Sequence, residues 1–398
     1  MGKWIIPLCE YVVKAIGKWI IPLCEYVVKA IGKWIIPLCE YVVKAIVVEV
    51  GANWIQPNNE NLNPVVSLAK KYKLKGKPSN WDSIIFRNAE GKNVTREALV
   101  VRHQLDKSLD YTHDLALELL ENNKSDMSIR AALRLAKWNP RTPIDEVLEY
   151  LRVDFEYGGI AYVTSLKSTA VVVNDKDLFV TDQRGYSVLI KKMSNEFMKQ
   201  GDLRLRYGKV VTAITWTNNS VTVRCQDDSV YTAPFALITF SIGVLQNDVI
   251  KFDFPLPTWK MLEIKQFEMA LYTKIFLKFP KNATRFWDEQ EFILHAHPRR
   301  GFYPVWQNLE APGLFDVGTN ILMVTVTGEE SKRLEGQNDN VIRSEVMNVL
   351  RHMYGDNIPD VEEIMLHRWS RDPLYFGAYS NWPVEVSIGA QKRLQANL

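Results

Sequence analysis

The chain has 398 residues, 47% of them hydrophobic, which is length for two domains and enough apolar content for a large core. Its 49 basic and 46 acidic residues leave a net charge of +3, so no general field attracts nucleic acid or an anionic membrane, and local groups must read any charged ligand. The four cysteines, three of them inside a repeated segment, imply neither a disulfide framework nor a metal site.

Gly2 to Ile46 is three identical copies of Gly-Lys-Trp-Ile-Ile-Pro-Leu-Cys-Glu-Tyr-Val-Val-Lys-Ala-Ile, to which no domain is assigned. The unit is shorter than solenoid repeats, and Pro7, Pro22 and Pro37 interrupt any helix or strand through it. Lys3, Glu10, Lys14 and their copies keep every uncharged run far below the ~18 residues that cross a bilayer. The first copy also lacks a secretory core and a small-residue cleavage site. Terminal units of a working repeat need other surfaces than internal ones, so identical copies point to a recent duplication or an assembly artefact. A membrane-surface or partner-binding arm is the functional alternative.

Val47 to Trp54 is then predicted to be a buried strand ending in Gly51-Ala-Asn-Trp54, and the basic cluster from Lys70 to Lys77 reads as a solvated loop. Leu105, Leu109, Leu115 and Leu119 mark one helix. Met127 to Trp138 is a second behind an Asp126 cap, and Thr142-Pro143 opens a third with proline in its first turn. Short strands follow at Leu178 to Thr181, Val210 to Trp216, Val221 to Cys225 and Val230 to Ala233, with Asn218-Asn219 as a turn. Phe235 to Phe240 is a continuous apolar run, predicted as a strand covered on both faces. His295-Ala-His297 has the spacing of a metal pair on one strand face, but Pro298-Arg-Arg-Gly301 reads as a hairpin turn and no metal is assigned. Ile321 to Thr327 is a core strand, and Val341 to Met353 is an amphipathic helix closed by Gly355. Sequons at Asn93, Asn123, Asn218 and Asn282 matter only on a secretory route.

Two segments stand out. In Leu271-Tyr-Thr-Lys-Ile-Phe-Leu-Lys-Phe-Pro280, alternation puts Lys274 between Tyr272 and Phe276 on one strand face, with Leu271, Thr273, Ile275, Leu277 and Phe279 on the other. Taken alone, such a lysine reads as exposed, its stem lying over the rings; the alternative is an amine held in a cavity. Arg368-Trp-Ser-Arg-Asp-Pro-Leu-Tyr-Phe-Gly-Ala-Tyr-Ser-Asn-Trp-Pro383 is too dense in aromatic and turn residues for an ordinary solvated loop, which shifts the balance toward the cavity.

With these two, the stretches Val48-Glu-Val-Gly-Ala-Asn-Trp54, Val163 to Leu166, Val180 to Tyr186, Gly243 to Gln246, Leu256 to Lys260 and Arg300 to Trp306 resemble, in order, the flavin-containing amine oxidases, and within them the plant polyamine oxidases. The resemblance runs from about Val47 to Val386. It implies a mixed α/β fold: an incomplete Rossmann-type FAD domain from segments 47–77, 178–252 and 369–398, interleaved with a sheet-plus-helix substrate domain from 78–177 and 253–368. It also implies that Lys274 holds a water against the flavin, that Glu49 and Glu156 line a substrate tunnel, and that Phe155, Tyr272 and Tyr379 form its aromatic walls. Gly51, Ala52, Val211 and Trp369 would touch FAD. The implied substrates are spermine or spermidine and oxygen, and the products an aldehyde, a shorter amine and hydrogen peroxide. The protein would be a monomer without a nucleic-acid partner or membrane span. Exported relatives suggest an extracellular location, although no signal peptide is expected from this amino terminus.

The chemistry suits such a substrate. A flexible chain of ammonium groups needs carboxylates for its charges and aromatic faces for cation and stem alike. The blander readings are a strand-end cap for Glu49, a surface carboxylate for Glu156 and core packing for the tyrosines and Trp369.

The sequence departs from the family at the cofactor. No Gly-x-Gly occurs anywhere, and the repeats stand where the phosphate-binding turn is expected. The chain is also expected to stop short of the family's second flavin-contacting segment. Losing several charge-assisted hydrogen bonds predicts FAD affinity lowered by orders of magnitude and impaired catalysis. The alternatives are a non-catalytic polyamine-binding or interaction protein, or a mis-assembled gene product.

Overall fold

The computed structural model describes residues 41–43, 46–56, 63–170, 177–384, 386–387 and 389–398. The repeats therefore lie outside the described residues apart from the end of the third copy. There Tyr41–Val43 (β1) pairs antiparallel with Ile46–Val48 (β2). The predicted continuous strand from Val47 to Trp54 is interrupted: the chain bends at Val50 and Gly51 and resumes as Trp54–Ile55 (β3). Between the two pieces the carbonyls of Glu49 and Gly51 accept from the Lys274 ammonium instead of from a neighbouring strand.

Pro64–Lys71 (α1) starts at an Asn63 cap and is followed by Gly76–Pro78 (β4), Ile84–Asn88 (β5) and the long Thr95–Glu121 (α2). Ile129–Leu135 (α3) is shorter than read, because Ser128 caps it while the Asp126 carboxylate accepts from Met127 N, Ser165 Oγ and Lys167 N. Pro143–Arg152 (α4) has the Thr142 cap and first-turn proline as read, with Asp145 completing a capping box. One residue later comes Asp154–Tyr157 (α5).

Leu178–Val180 (β6) joins β3 and β4 in a three-stranded sheet under α1 and Val188–Ser194 (α6). Val211–Trp216 (β7), Val221–Cys225 (β8) and Val230–Ala233 (β9) are a meander close to the predicted bounds. Phe235 to Phe240 is not a strand, and Phe235 is 66% exposed. A doubly covered strand needs neighbours on both edges, and among the described residues no strand pairs with this run. Ile242–Gln246 (α7) and Lys251–Phe252 (β10) follow, β10 adding to β7 in parallel.

Thr258–Gln266 (α8) and Glu268–Met269 (β11) lead into Tyr272–Lys278 (β12), the centre of the molecule. Phe292–Ala296 (β13) and Val305–Asn308 (β14) form the predicted hairpin, and Ile321–Thr327 (β15) and Asp339–Tyr354 (α10) flank Gly328–Glu335 (α9). Glu363–Leu366 (β16), Ser380–Asn381 (β17) and Ala390–Leu394 (α11) close the chain. The main sheet runs β16-β12-β15-β14-β13-β5, antiparallel except for the last pair. One face packs Ile275, Leu277, Val324 and Trp306 against α9 and α10. The other packs Tyr272, Phe276 and Met323 against α2 to α5. The site lies on this second face.

Candidate active site

Alternation along β12 divides its residues as the sequence indicates. Thr273 turns to α9 and bonds Ser331 and Glu335, each at 2.6 Å, while Tyr272, Lys274 and Phe276 face the helices. Lys274 is 3% exposed, so of the two readings of this lysine the amine held in a cavity is the one that stands. Helices α2 to α5 cover a face that a lone strand would leave wet. Burying an ammonium costs several kcal/mol unless it is paired. Here Nζ donates to Glu49 O at 3.3 Å and to Gly51 O, and lies 5.7 Å from the Trp54 ring centre.

Tyr379 reaches the same face through the β11–β17 pair, in which Met269 stands opposite Ser380 and Ala270 N donates to Tyr379 O at 2.6 Å. The ring centres of Phe155 and Tyr272 are 5.8 Å apart, and those of Tyr272 and Tyr379 are 5.9 Å apart. Trp54 and Trp81 each meet Phe155 edge-on at 6.1 Å. Burial drives the Tyr379 phenol well above its ordinary range, and the Glu156 carboxylate adds to this. Burial does the same at Tyr272, where the charges of Tyr379 and Glu156 also contribute. Glu156 is half-buried and next to Phe155 on α5, and its charge contributes to the rise at both phenols. The Tyr379 hydroxyl has no hydrogen-bond partner among the described residues.

α5 ends at Gly158 with φ +66°, and a Cβ there would stand 2.5 Å from the Tyr379 hydroxyl oxygen and 2.6 Å from the Ala270 methyl. Gly158→Ala is therefore expected to strain the backbone, push Tyr379 aside and destabilise the protein by ~1–3 kcal/mol, read as a lower urea midpoint.

Behind α5 lies a buried ionic network. Glu149 of α4 is fully buried and accepts from Arg130, from Trp138 Nε1 at 2.9 Å and from Arg300 at 3.0 Å. Arg300 also bonds Glu146 and, at 3.0 Å, Asp154. Burial raises the Asp154 carboxyl to about 6, with the Arg300 charge opposing the rise. A folded pKa above the unfolded 3.8 means this group favours folding in acid, an advantage lost as pH climbs from about 4 through about 6. Asp154→Asn should flatten the stability profile across that window by ~2–3 kcal/mol, measured by denaturation at several pH values.

The other predicted residues divide. Glu49 and Gly51 meet Lys274 through their carbonyls, while the Glu49 carboxylate accepts from Tyr186 N, which is the strand-end capping contact. Ala52 follows directly, and the buried Asn53 Oδ1 has no partner among the described residues. Trp369 packs 4.1 Å from His367 and 5.3 Å from Tyr375, and its carbonyl accepts from Gly377 N in the turn that leads to Tyr379. Val211 belongs to the separate apolar cluster of Ile214, Val244 and Ile250. Sequence reasoning missed Trp54, although its motif was visible, and Trp81, which nothing marked. Among the described residues no group of three or more His, Cys, Asp or Glu side chains is placed to hold a metal, and His295 Nδ1 lies 3.2 Å from Phe302 O instead.

Residues 42–397 match the family model described as flavin containing amine oxidoreductase. The chain belongs to this family. It is 37% identical over 372 residues to polyamine oxidase 7 of Oryza sativa subsp. japonica, covering 88% of this chain and 77% of that one. It is 38% identical over 376 residues to polyamine oxidase 1 of Zea mays, covering 88% and 74%. The fold is shared with a redesigned putrescine oxidase at a TM-score of 0.66 and 15% identity, over 87% of this chain and 79% of that one. The mixed α/β architecture is thus that of FAD-dependent amine oxidases, and FAD is the cofactor of the family. The residues present fit its ring end, since a buried ammonium lies on the Gly51 carbonyl and 5.7 Å from the Trp54 ring centre, and two residues after Gly51 the buried side-chain Oδ1 of Asn53 has no partner among the described residues.

Proposed function

We propose that the protein is an FAD-dependent oxidase of polyamines, acting on spermine or spermidine to give an aldehyde, a shorter amine and hydrogen peroxide. The observation that supports this best is the buried Lys274 on the strand face shared with Tyr272, with the Phe155 and Tyr379 rings packed against that tyrosine and Glu156 next to Phe155 on α5. Glu156 pairs with a distal ammonium, and the aromatic rings take the methylene stem and cation faces. The same apolar walls lower the pKa of the reacting nitrogen, keeping it neutral with its lone pair free. Lys274 Nζ, a donor to the Glu49 and Gly51 carbonyls, would also hold a water at the flavin. Bound FAD supplies the two-electron acceptor and passes the electrons to oxygen. Lys274, Trp369 and the backbone of Gly51 and Ala52 would hold its ring end, and the Val211 backbone its adenine end. Purified protein with a visible flavin band and spermine-dependent peroxide supports this reading; a flavin band without any turnover of amines sinks it.

The absence of Gly-x-Gly from the sequence favours a second reading, a polyamine-binding protein without catalysis. Calorimetry on flavin-free protein separates the two. Spermine binding that is lost in Glu156→Gln, without peroxide formation after FAD is added, selects the second.

A further inference from the structure

We infer that Arg300 is a positioning residue for the polyamine: it clamps α5 to α4, so that α5 presents Phe155 and Glu156 to the tyrosine pair. The inference rests on the polyamine reading above. Carboxylates from two successive helices converge on this one guanidinium. Nη1 takes Glu146, Nη2 lies 3.0 Å from both Glu149 Oε1 and Asp154 Oδ1, and Nε is 3.2 Å from Asp154 Oδ2. The planar fork holds these acids at set angles, which a single ammonium does not.

α5 needs such an anchor. It is four residues long, and its N-cap, Val153, makes no side-chain cap bond. A helix this short has no stability of its own, so its orientation comes from tertiary contacts. Among these are the Asp154–Arg300 pair, the Phe155 ring against Tyr272, Trp54 and Trp81, and the Gly158 approach to Tyr379. α4 is held independently, because the Tyr150 hydroxyl accepts from Thr327 N at 2.7 Å and Glu149 bonds Arg130 and Trp138. Loss of the guanidinium therefore frees α5 more than α4. A cavity of about 220 Å³ lined by Arg130, Glu146, Tyr162 and Arg300 adjoins the clamp, so a smaller cation enters without overpacking.

Two measurements on the full chain test this. Calorimetry compares spermine with butylamine in wild type and Arg300→Lys, since a monoamine has no second ammonium to place on Glu156. Spermine affinity is expected to fall about tenfold and butylamine affinity to stay within about twofold. Equal weakening of both amines, or none, overturns the inference. Amide hydrogen exchange reads the clamp without any ligand: residues 155–158 should exchange about tenfold faster in Arg300→Lys while α4 stays protected. Unchanged exchange overturns the clamp even where spermine binding falls. Wild-type protein that binds neither amine overturns the polyamine reading instead, and the exchange result still decides whether Arg300 holds α5.

Discussion

Lys274→Met is expected to lower spermine-dependent peroxide formation by about a hundredfold or more while the fold survives. Methionine matches the lysine stem in length and lacks its donors, so the variant removes the hydrogen bonds and keeps the packing beside Tyr272. Two costs oppose each other in stability. The Glu49 and Gly51 carbonyls lose their donor, at ~1–3 kcal/mol each where they stay dry. The protein in turn no longer desolvates an ammonium that is 3% exposed. The thermal midpoint should therefore move by only a few degrees. Turnover measured beside flavin absorbance and circular dichroism checks both halves, and undiminished peroxide in a folded, flavin-loaded variant would place the chemistry on another group.

The largest stability effect is expected at Glu149, which sits at the hub of the ionic network. Glu149→Gln should destabilise the protein by ~3–5 kcal/mol, because Arg130 is 5% exposed and loses its carboxylate partner inside the protein. Trp138 Nε1 keeps an acceptor in the amide oxygen, so the indole bond contributes little to the loss. Adding Arg130→Met to the same chain should recover part of the stability, since the double variant no longer buries an unpaired guanidinium. Urea midpoints of the two single variants and the double give the coupling directly. Strictly additive effects would mean that Glu149 and Arg130 do not stabilise one another.

Much of the local structure was legible because its cause is local. The alternation in Leu271 to Pro280 survives as β12, the Thr142-Pro143 start of α4 carries its capping box, and Gly355 ends α10 with φ +93°. Each depends on residues within a few positions of one another. The misreadings concern what comes from elsewhere. Phe235 to Phe240 has the composition of a covered strand, but composition does not supply the neighbouring strands. Asp126 was read as a helix cap and instead ties Met127 to Ser165 and Lys167, about forty residues away. The interruption of Val47 to Trp54 likewise reflects a donor more than two hundred positions distant.

The candidate site divides along the same line. From the amino-acid order came the strand that bears Lys274 beside Tyr272, and from its resemblance to the amine oxidases came the family and the grouping with Phe155, Glu156 and Tyr379. Side-chain period and motif order are written residue by residue. The tertiary structure alone decided which carbonyls the buried Lys274 meets, that Glu49 meets it that way while its carboxylate turns to Tyr186, and that Arg300 gathers Glu146, Glu149 and Asp154. A period of two states which face a side chain takes. Whether that face is wet or dry, and which charge waits there, depends on helices and loops that arrive from distant parts of the chain.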